Sequence, residues 1–217
     1  EPVISEEGRL LTVRWDIKGY SVVQKIALSV DEKNDLTGNV GISYQVTNNT
    51  SLAGKVGIRV LLDTALSNNT DAPYVMTDAK PNPQITEKEY KGSELPQQIR
   101  LLDSLSSPTK MAYALLKGWN DGVVPDNVIV GHWANLANTR YSYTADTYCD
   151  FSNYSNQYRT PDSALAFYWS ESTIGAGGSK NAELLYGIGN FSSETVTDRV
   201  GLDMVMDKVK LDKDNKG

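Results

Sequence analysis

Period-two alternation constrains this chain more than any other feature. Leu11, Val13, Trp15 and Ile17 alternate with Thr12, Arg14, Asp16 and Lys18. Val40, Ile42, Tyr44 and Val46 alternate with Gly41, Ser43, Gln45 and Thr47. Val56, Ile58, Val60 and Leu62 repeat the pattern. Each run has one apolar and one wetter face, as a strand with one buried side requires. Further strands are expected at 22–31, 84–90, 109–117, 126–134, 163–170 and 180–188. Turn residues separate them: Asn34-Asp35-Leu36-Thr37-Gly38, Asn48-Asn49-Thr50, Asn120-Asp121-Gly122 and Gly175-Ala176-Gly177-Gly178. Only 96–105, with Ile99, Leu101, Leu102 and Leu105, carries weak helical spacing.

Many short strands without alternating helices imply an all-β chain. The expected architecture is a large two-layer antiparallel β-sandwich of ten or more strands. Ala164-Leu165-Ala166-Phe167-Tyr168-Trp169 is apolar on both faces, which places it centrally between two covered surfaces. Trp15 and Trp169 read as core.

The sandwich is expected to occupy residues 1–191. The stretch 192–217 reads as a linker or the first strand of a following module. A calcium loop from Asp212, Asp214 and Gly217 is the alternative there, but Lys216 stands where an oxygen ligand belongs. The start, Glu1-Pro2-Val3-Ile4, has no basic n-region or apolar h-region and reads as an excised or processed piece. Richness in Asn, Ser, Thr, Tyr and Gly leans towards a secreted or cell-surface setting. Asn48, Asn68, Asn153 and Asn190 fit the glycosylation pattern, which Asn- and Ser-rich chains meet by chance.

Charge and composition exclude several function classes. A net charge of -6 without a Lys/Arg cluster lacks the electrostatic footprint of a nucleic-acid binder. The apolar runs fall far short of the ~20 residues that membrane insertion by a helix needs. One cysteine, Cys149, makes no internal disulfide, and one histidine, His132, excludes sites needing two.

Candidate chemistry is sparse. His132, after Val128-Ile129-Val130-Gly131, reads either as a hydrogen-bonded histidine at a strand's inner rim or as a general base in a cleft. Asp63 and Thr64 lead into an Asp/Asn-rich turn through Asn68, Asn69 and Asp71. That turn is either braced by its own side chains or holds calcium, and the braced turn is preferred, so no metal is assigned. Cys149 lacks the cationic neighbour that lowers a thiol pKa and is not read as a nucleophile. No cofactor and no catalytic residue are expected.

The segment 141–158 stands apart. Six of its 18 residues are aromatic, against 9% overall: Tyr141, Tyr143, Tyr148, Phe151, Tyr154 and Tyr158. It contains no Leu, Ile, Val or Met. Rings interleaved with Asn153, Asn156, Gln157, Asp146 and Asp150 suit a sugar, whose C–H face packs on a ring while its hydroxyls bond amides and carboxylates. They also suit a protein surface, or a loop folded over the sandwich with its rings filling the gap beneath. Trp119, in a turn at the end of a strand, is a second stacking candidate or a cap over the core end.

Three blocks carry a family resemblance. Val56-Gly57-Ile58-Arg59-Val60-Leu61-Leu62-Asp63-Thr64, continuing to Asn68-Asn69-Thr70-Asp71-Ala72-Pro73-Tyr74, resembles a recurring "VGxRxxLDTxxGxNDGAPF" pattern. Pro161-Asp162-Ser163-Ala164-Leu165-Ala166-Phe167-Tyr168-Trp169 and Leu185-Tyr186-Gly187-Ile188-Gly189 resemble its "DSAxAxYW" and "YYGLG" segments. The pattern belongs to large, mostly uncharacterised secreted or cell-surface proteins of anaerobic bacteria and archaea. The resemblance spans roughly residues 10–191. It implies a sandwich like the mutarotase supersandwich within a multidomain surface protein, with further modules beyond residue 191. Thr70 and Ala72 replace the tighter Asn-Asp-Gly of the pattern, and the Tyr-rich 141–158 segment is not part of it. The setting also resembles that of glycan- and starch-adherence proteins of gut anaerobes.

The expected function is a non-catalytic carbohydrate-binding module for a glycan or starch-type polysaccharide. Its ligand residues are Trp119, Tyr141, Tyr143, Tyr148, Phe151, Asn153, Tyr154, Asn156, Gln157 and Tyr158. The partners are polysaccharide or oligosaccharide and neighbouring domains, with no nucleic acid. The alternative is a structural or protein-adhesive spacer. A carbohydrate-active enzyme is a third possibility, resting on fold analogy alone.

Overall fold

The structure is a computed structural model that describes residues 2–5, 8–30, 36–66, 71–78, 80, 82–117 and 123–190. Trp119 and the stretch 192–217 lie outside the described residues, as do Asn68 and Asn69.

The described chain folds into two antiparallel sheets. Along the chain run β1 (Val3–Ser5), β2 (Leu10–Ile17), β3 (Tyr20–Val30), β4 (Leu36–Asn48), β5 (Gly54–Asp63) and β6 (Tyr74–Thr77). They are followed by β7 (Lys88–Lys91), β8 (Gln98–Leu102), β9 (Lys110–Leu115) and β10 (Asn127–Gly131). One short helix, α1 (Trp133–Ala137), precedes β11 (Ala164–Ile174) and β12 (Ser179–Asn190). The first sheet has eight strands in the order β1-β2-β3-β4-β12-β9-β8-β6; the second has four, β5-β11-β10-β7. This is the expected two-layer antiparallel sandwich.

Alternation builds the space between the sheets. Ile99 and Leu101 of β8, Ala112 and Ala114 of β9, and Ala182 and Leu184 of β12 point inward from the large sheet. Ile58 and Val60 of β5, Val128 and Val130 of β10, and Leu165, Phe167 and Trp169 of β11 meet them from the small one. The Trp169 indole is buried and donates to the Val123 carbonyl at 2.7 Å.

Three expectations need correction. Residues 96–105 are not helical: Ile99 and Leu101 alternate with Gln98, Arg100 and Leu102 in β8, between β6 and β9. Trp15 is not core: β2 lies second from the edge of the larger sheet, and Trp15 is 42% exposed. The strand expected over 126–134 stops at Gly131, because His132 starts α1.

The small sheet carries a third layer on its outer side. The first six residues of β11, Ala164 to Trp169, bury both faces, as their composition requires. Ala164, Ala166 and Tyr168 face outward with Ile129 of β10, and Leu136 of α1 covers them. Leu61, Trp133, Tyr141, Tyr143 and Ala145 pack around this cluster. The Tyr-rich segment is therefore seated on the outer face of the four-stranded sheet.

Candidate functional site: a braced aromatic loop

Two anchors seat the start of the loop. From β5, Arg59 reaches outward and donates to three carbonyls at the end of α1: Leu136 at 2.7 Å, Thr139 at 2.8 Å and Arg140 at 3.2 Å. Its Nε bonds the Tyr168 hydroxyl at 3.1 Å. Tyr141 then lies over Gly57 and donates to the Trp169 carbonyl at 3.1 Å. A Cβ at Gly57 would come within 2.5 Å of the Tyr141 hydroxyl oxygen, so only glycine permits this approach.

The second anchor is Glu87, which is buried at 1% exposure. One carboxylate oxygen accepts the His132 backbone N–H at 3.0 Å and Asn135 Nδ2 at 2.8 Å. The other accepts the Tyr143 hydroxyl at 2.6 Å and the Asp146 backbone N–H at 2.9 Å. Four donors compensate the burial of the carboxylate. They tie α1 and the loop to the segment before β7. Asn135 extends the network, accepting from Gln157 Nε2 at 3.1 Å and from the Tyr158 hydroxyl at 2.5 Å.

The loop also runs beside residues 85–87 as a short antiparallel ladder. Phe151 N–H donates to the Ile85 carbonyl at 3.0 Å and Glu87 N–H to the Cys149 carbonyl at 3.1 Å. Beyond it, side chains brace successive turns. Asp150 accepts from Ser152 N–H at 2.9 Å and Asn153 Nδ2 at 2.5 Å. Asn153 accepts from Ser155 N–H at 2.7 Å. Asn156, itself buried, directs Nδ2 at the carbonyls of Asp150, Asn153 and Thr160 and accepts from Tyr158 N–H at 2.9 Å. These are Asx-type turns that fix the backbone without a strand or helix.

The expected site residues therefore divide. Phe151 is 1% exposed and belongs to the core between the sheets. Tyr141 and Tyr143 are half-buried and support the loop. Asn153 and Asn156 spend their amides on the loop itself, as does Asp150 its carboxylate, and Gln157 bonds Asn135. Tyr148, Tyr154 and Tyr158 remain at the surface, 94%, 73% and 38% exposed. Sequence reasoning missed Arg59, Glu87 and Asn135. Gly57 was the available signal for Tyr141, because an interior strand glycine marks a close approach. Nothing in the sequence distinguishes the buried Glu87 from the partly exposed Glu89.

Titratable groups near the loop are set for support. His132 is fully buried and caps α1, its Nδ1 accepting from Ala134 N–H at 3.1 Å. The ring proton therefore sits on Nε2, which donates to the Thr160 carbonyl at 3.1 Å. The Tyr158 ring lies against the imidazole, tilted by 32° with centroids 4.4 Å apart. Both ring nitrogens are committed, in keeping with the hydrogen-bonded reading of this residue. Burial, with the Glu87 and Asp146 carboxylates nearby, pushes the Cys149 thiol up to about 11. Burial and the Glu87 hydrogen bond likewise raise the Tyr143 phenol above its ordinary range. Asp162, where the loop rejoins β11, is pushed up to about 6 by burial, with Asp63 and Asp71 adding repulsion.

Among the described residues, no group of three or more His, Cys, Asp and Glu side chains is placed to hold a metal ion. No described helix is long and apolar enough to cross a membrane. Asn48 is buried and fully bonded within the β4–β5 turn, so the glycosylation pattern there is out of reach.

No protein-family model matches the chain, and no curated protein matches it. Solved structures do. A polysaccharide lyase aligns over 88% of this chain and 23% of its own, at 13% identity and a TM-score of 0.42. The Slr1438 protein of Synechocystis sp. PCC 6803 aligns over 88% of this chain and 66% of its own, at 7% identity and 0.46. A galactose mutarotase-like protein of Clostridium acetobutylicum aligns over 88% and 65%, at 6% identity and 0.43. The chain thus spans less than two thirds of each of these proteins.

Proposed function

We propose that this chain is a non-catalytic carbohydrate-binding module of a secreted or cell-surface protein, taking polysaccharide or oligosaccharide on Tyr148, Tyr154 and Tyr158. One observation carries the reading: Tyr148 and Tyr154 stand in solvent, with Tyr158 partly exposed against His132, on a loop whose backbone is fixed by its own side chains and by Glu87. Exposed rings on a braced loop lose little freedom on binding, so stacking on a sugar face is not offset by ordering of the loop. With Asn153 and Asn156 committed to the fold, stacking contributes more than hydrogen bonding. Affinity is then modest, roughly micromolar to millimolar.

The non-catalytic part of the reading draws on the committed ring nitrogens of His132, the raised thiol of Cys149 and the four-donor saturation of Glu87. The alternative, a structural or protein-adhesive spacer, draws on Tyr141, Tyr143 and Phe151, which pack against the sandwich as that reading expects. Under either reading the domain works beside neighbouring modules of a longer chain, as the resemblance implies.

The test is retention of the purified domain on granular starch, cellulose, xylan, mannan and mucin. Retention on one of these, lost in a Tyr148→Ala/Tyr154→Ala double variant that still melts cooperatively, supports the module. Retention on none transfers the assignment to the spacer.

A further inference from the structure

Against the first part of the aromatic loop lies an open depression of about 610 Å³. That is within the range of small-ligand sites, roughly 300–1,000 Å³. It is lined by Gln84 and residues 86–89, by residues 143–145 and Thr147 of the loop, and by Lys80. Thr147, one of its lining residues, immediately precedes Tyr148, the most exposed ring of the loop.

Three of the four charged side chains lining this space are engaged by other protein groups. Glu87 accepts four hydrogen bonds and is buried. Glu89 bonds Asn127 at 2.8 Å and Lys91 at 2.9 Å. Lys88 pairs with Glu94 at 3.0 Å and lies 4.7 Å from the centre of the Tyr90 ring. Two lysines and two glutamates line the space, so it carries no net formal charge from them. The hydroxyls of Thr86, Thr144 and Thr147 and the edge of Tyr143 complete the lining. With the two signs balanced, the space offers no net field to an anionic sugar or to a cation. A neutral polyol meets hydroxyls and a ring.

We infer that this depression is a second subsite of the same binding site, and that it takes a neutral sugar unit of a chain whose adjoining unit stacks on Tyr148. The inference rests on the carbohydrate reading above and sharpens it to an uncharged glycan bound over several units. Binding strength then grows with chain length, because short oligosaccharides fill one subsite and longer ones both.

Isothermal titration calorimetry on the whole chain tests this with glucose to maltohexaose, with cello-, xylo- and mannohexaose, and with oligogalacturonate as the charged comparison. One neutral series is expected to gain affinity from disaccharide to hexasaccharide, with oligogalacturonate weaker than the matching neutral hexamer. Thr144→Trp, at an exposed position, fills the depression and is expected to cost the hexasaccharide roughly tenfold while sparing the disaccharide. Thr147→Glu, also exposed, is the second variant and should do the same. Tyr148→Ala should weaken every length. If both threonine variants bind the hexasaccharide as wild type while Tyr148→Ala weakens it, the subsite is overturned and the module stands. Equal affinity at all lengths, or tighter binding of oligogalacturonate, also overturns the subsite. If no sugar binds, or Tyr148→Ala changes nothing, the carbohydrate reading itself fails and the subsite falls with it.

Discussion

Tyr141, Tyr143 and Phe151 come from the same 18 residues as Tyr148, Tyr154 and Tyr158, yet the two sets of rings do opposite work. The first set points into the molecule. Phe151 has no polar tip and sits in the core, while Tyr141 and Tyr143 place their hydroxyls on the Trp169 carbonyl and on Glu87. The second set points out, and only Tyr158, lying against His132, keeps a bond to the framework. Ring content alone does not say which way a loop faces. The decisive partners, Gly57, Arg59 and Glu87, lie far away in sequence.

Removing inward rings should break the fold, and removing outward rings should break binding. The largest effect is expected for Phe151→Ala, which opens a cavity between the sheets and should cost roughly 3–5 kcal/mol. Urea denaturation measures it. A loss under 1 kcal/mol would show that the loop end is not part of the core.

Glu87→Gln comes next. A neutral amide keeps the volume but turns an NH2 group towards donors, leaving a backbone N–H of His132 or Asp146 without an acceptor. The expected cost is about 1–3 kcal/mol. Amide exchange should quicken in residues 141–146 more than in β11. Uniform quickening across the chain would mean that Glu87 supports the whole sandwich and not the loop.

Tyr148→Ala should leave stability within about 0.5 kcal/mol of wild type, since the ring is almost wholly exposed. Its effect should appear instead in polysaccharide retention, as a loss of roughly tenfold. A drop in melting temperature with unchanged retention would join Tyr148 to the inward set.

The alternation at 11–17, 40–47 and 56–62 announced three of the sheet strands, because a period of two survives wherever one face is buried. The double-sided apolar run at 164–169 likewise announced the central strand with a covered outer face. Residues 96–105 misled because Leu101 and Leu102 are adjacent: one points inward and the other belongs to the outer face of β8, which mimics a helical stripe. Trp15 misled because alternation tells which face a residue takes but not how far the opposing sheet extends. Of the site, the aromatic loop was legible and its polar braces were not. Asn153, Asn156 and Asp150 have the chemistry of sugar ligands and of Asx turns alike, and only the fold decides which.

The smallest effect concerns the hinge at which the loop rejoins β11. Asp162 is pushed up to about 6 in the folded chain, mainly by burial and further by Asp63 and Asp71. Unfolded, it titrates near the ordinary aspartate value of about 3.9. Between those values the folded chain holds the proton that the unfolded chain releases. This contribution to stability is full below pH ~4, declines as pH rises through the window to about 6, and is gone above it. Glu94 and Asp103, held below the usual carboxylate range by Lys88 and Thr109, act with the opposite slope at lower pH. The difference between wild type and Asp162→Asn therefore isolates the hinge. The variant should gain on wild type as pH rises from 4 to 7, by a modest amount because Asp162 is partly solvated. Urea midpoints across that range check it. A constant difference between the two proteins would place the loop's closing contact elsewhere than at this carboxyl.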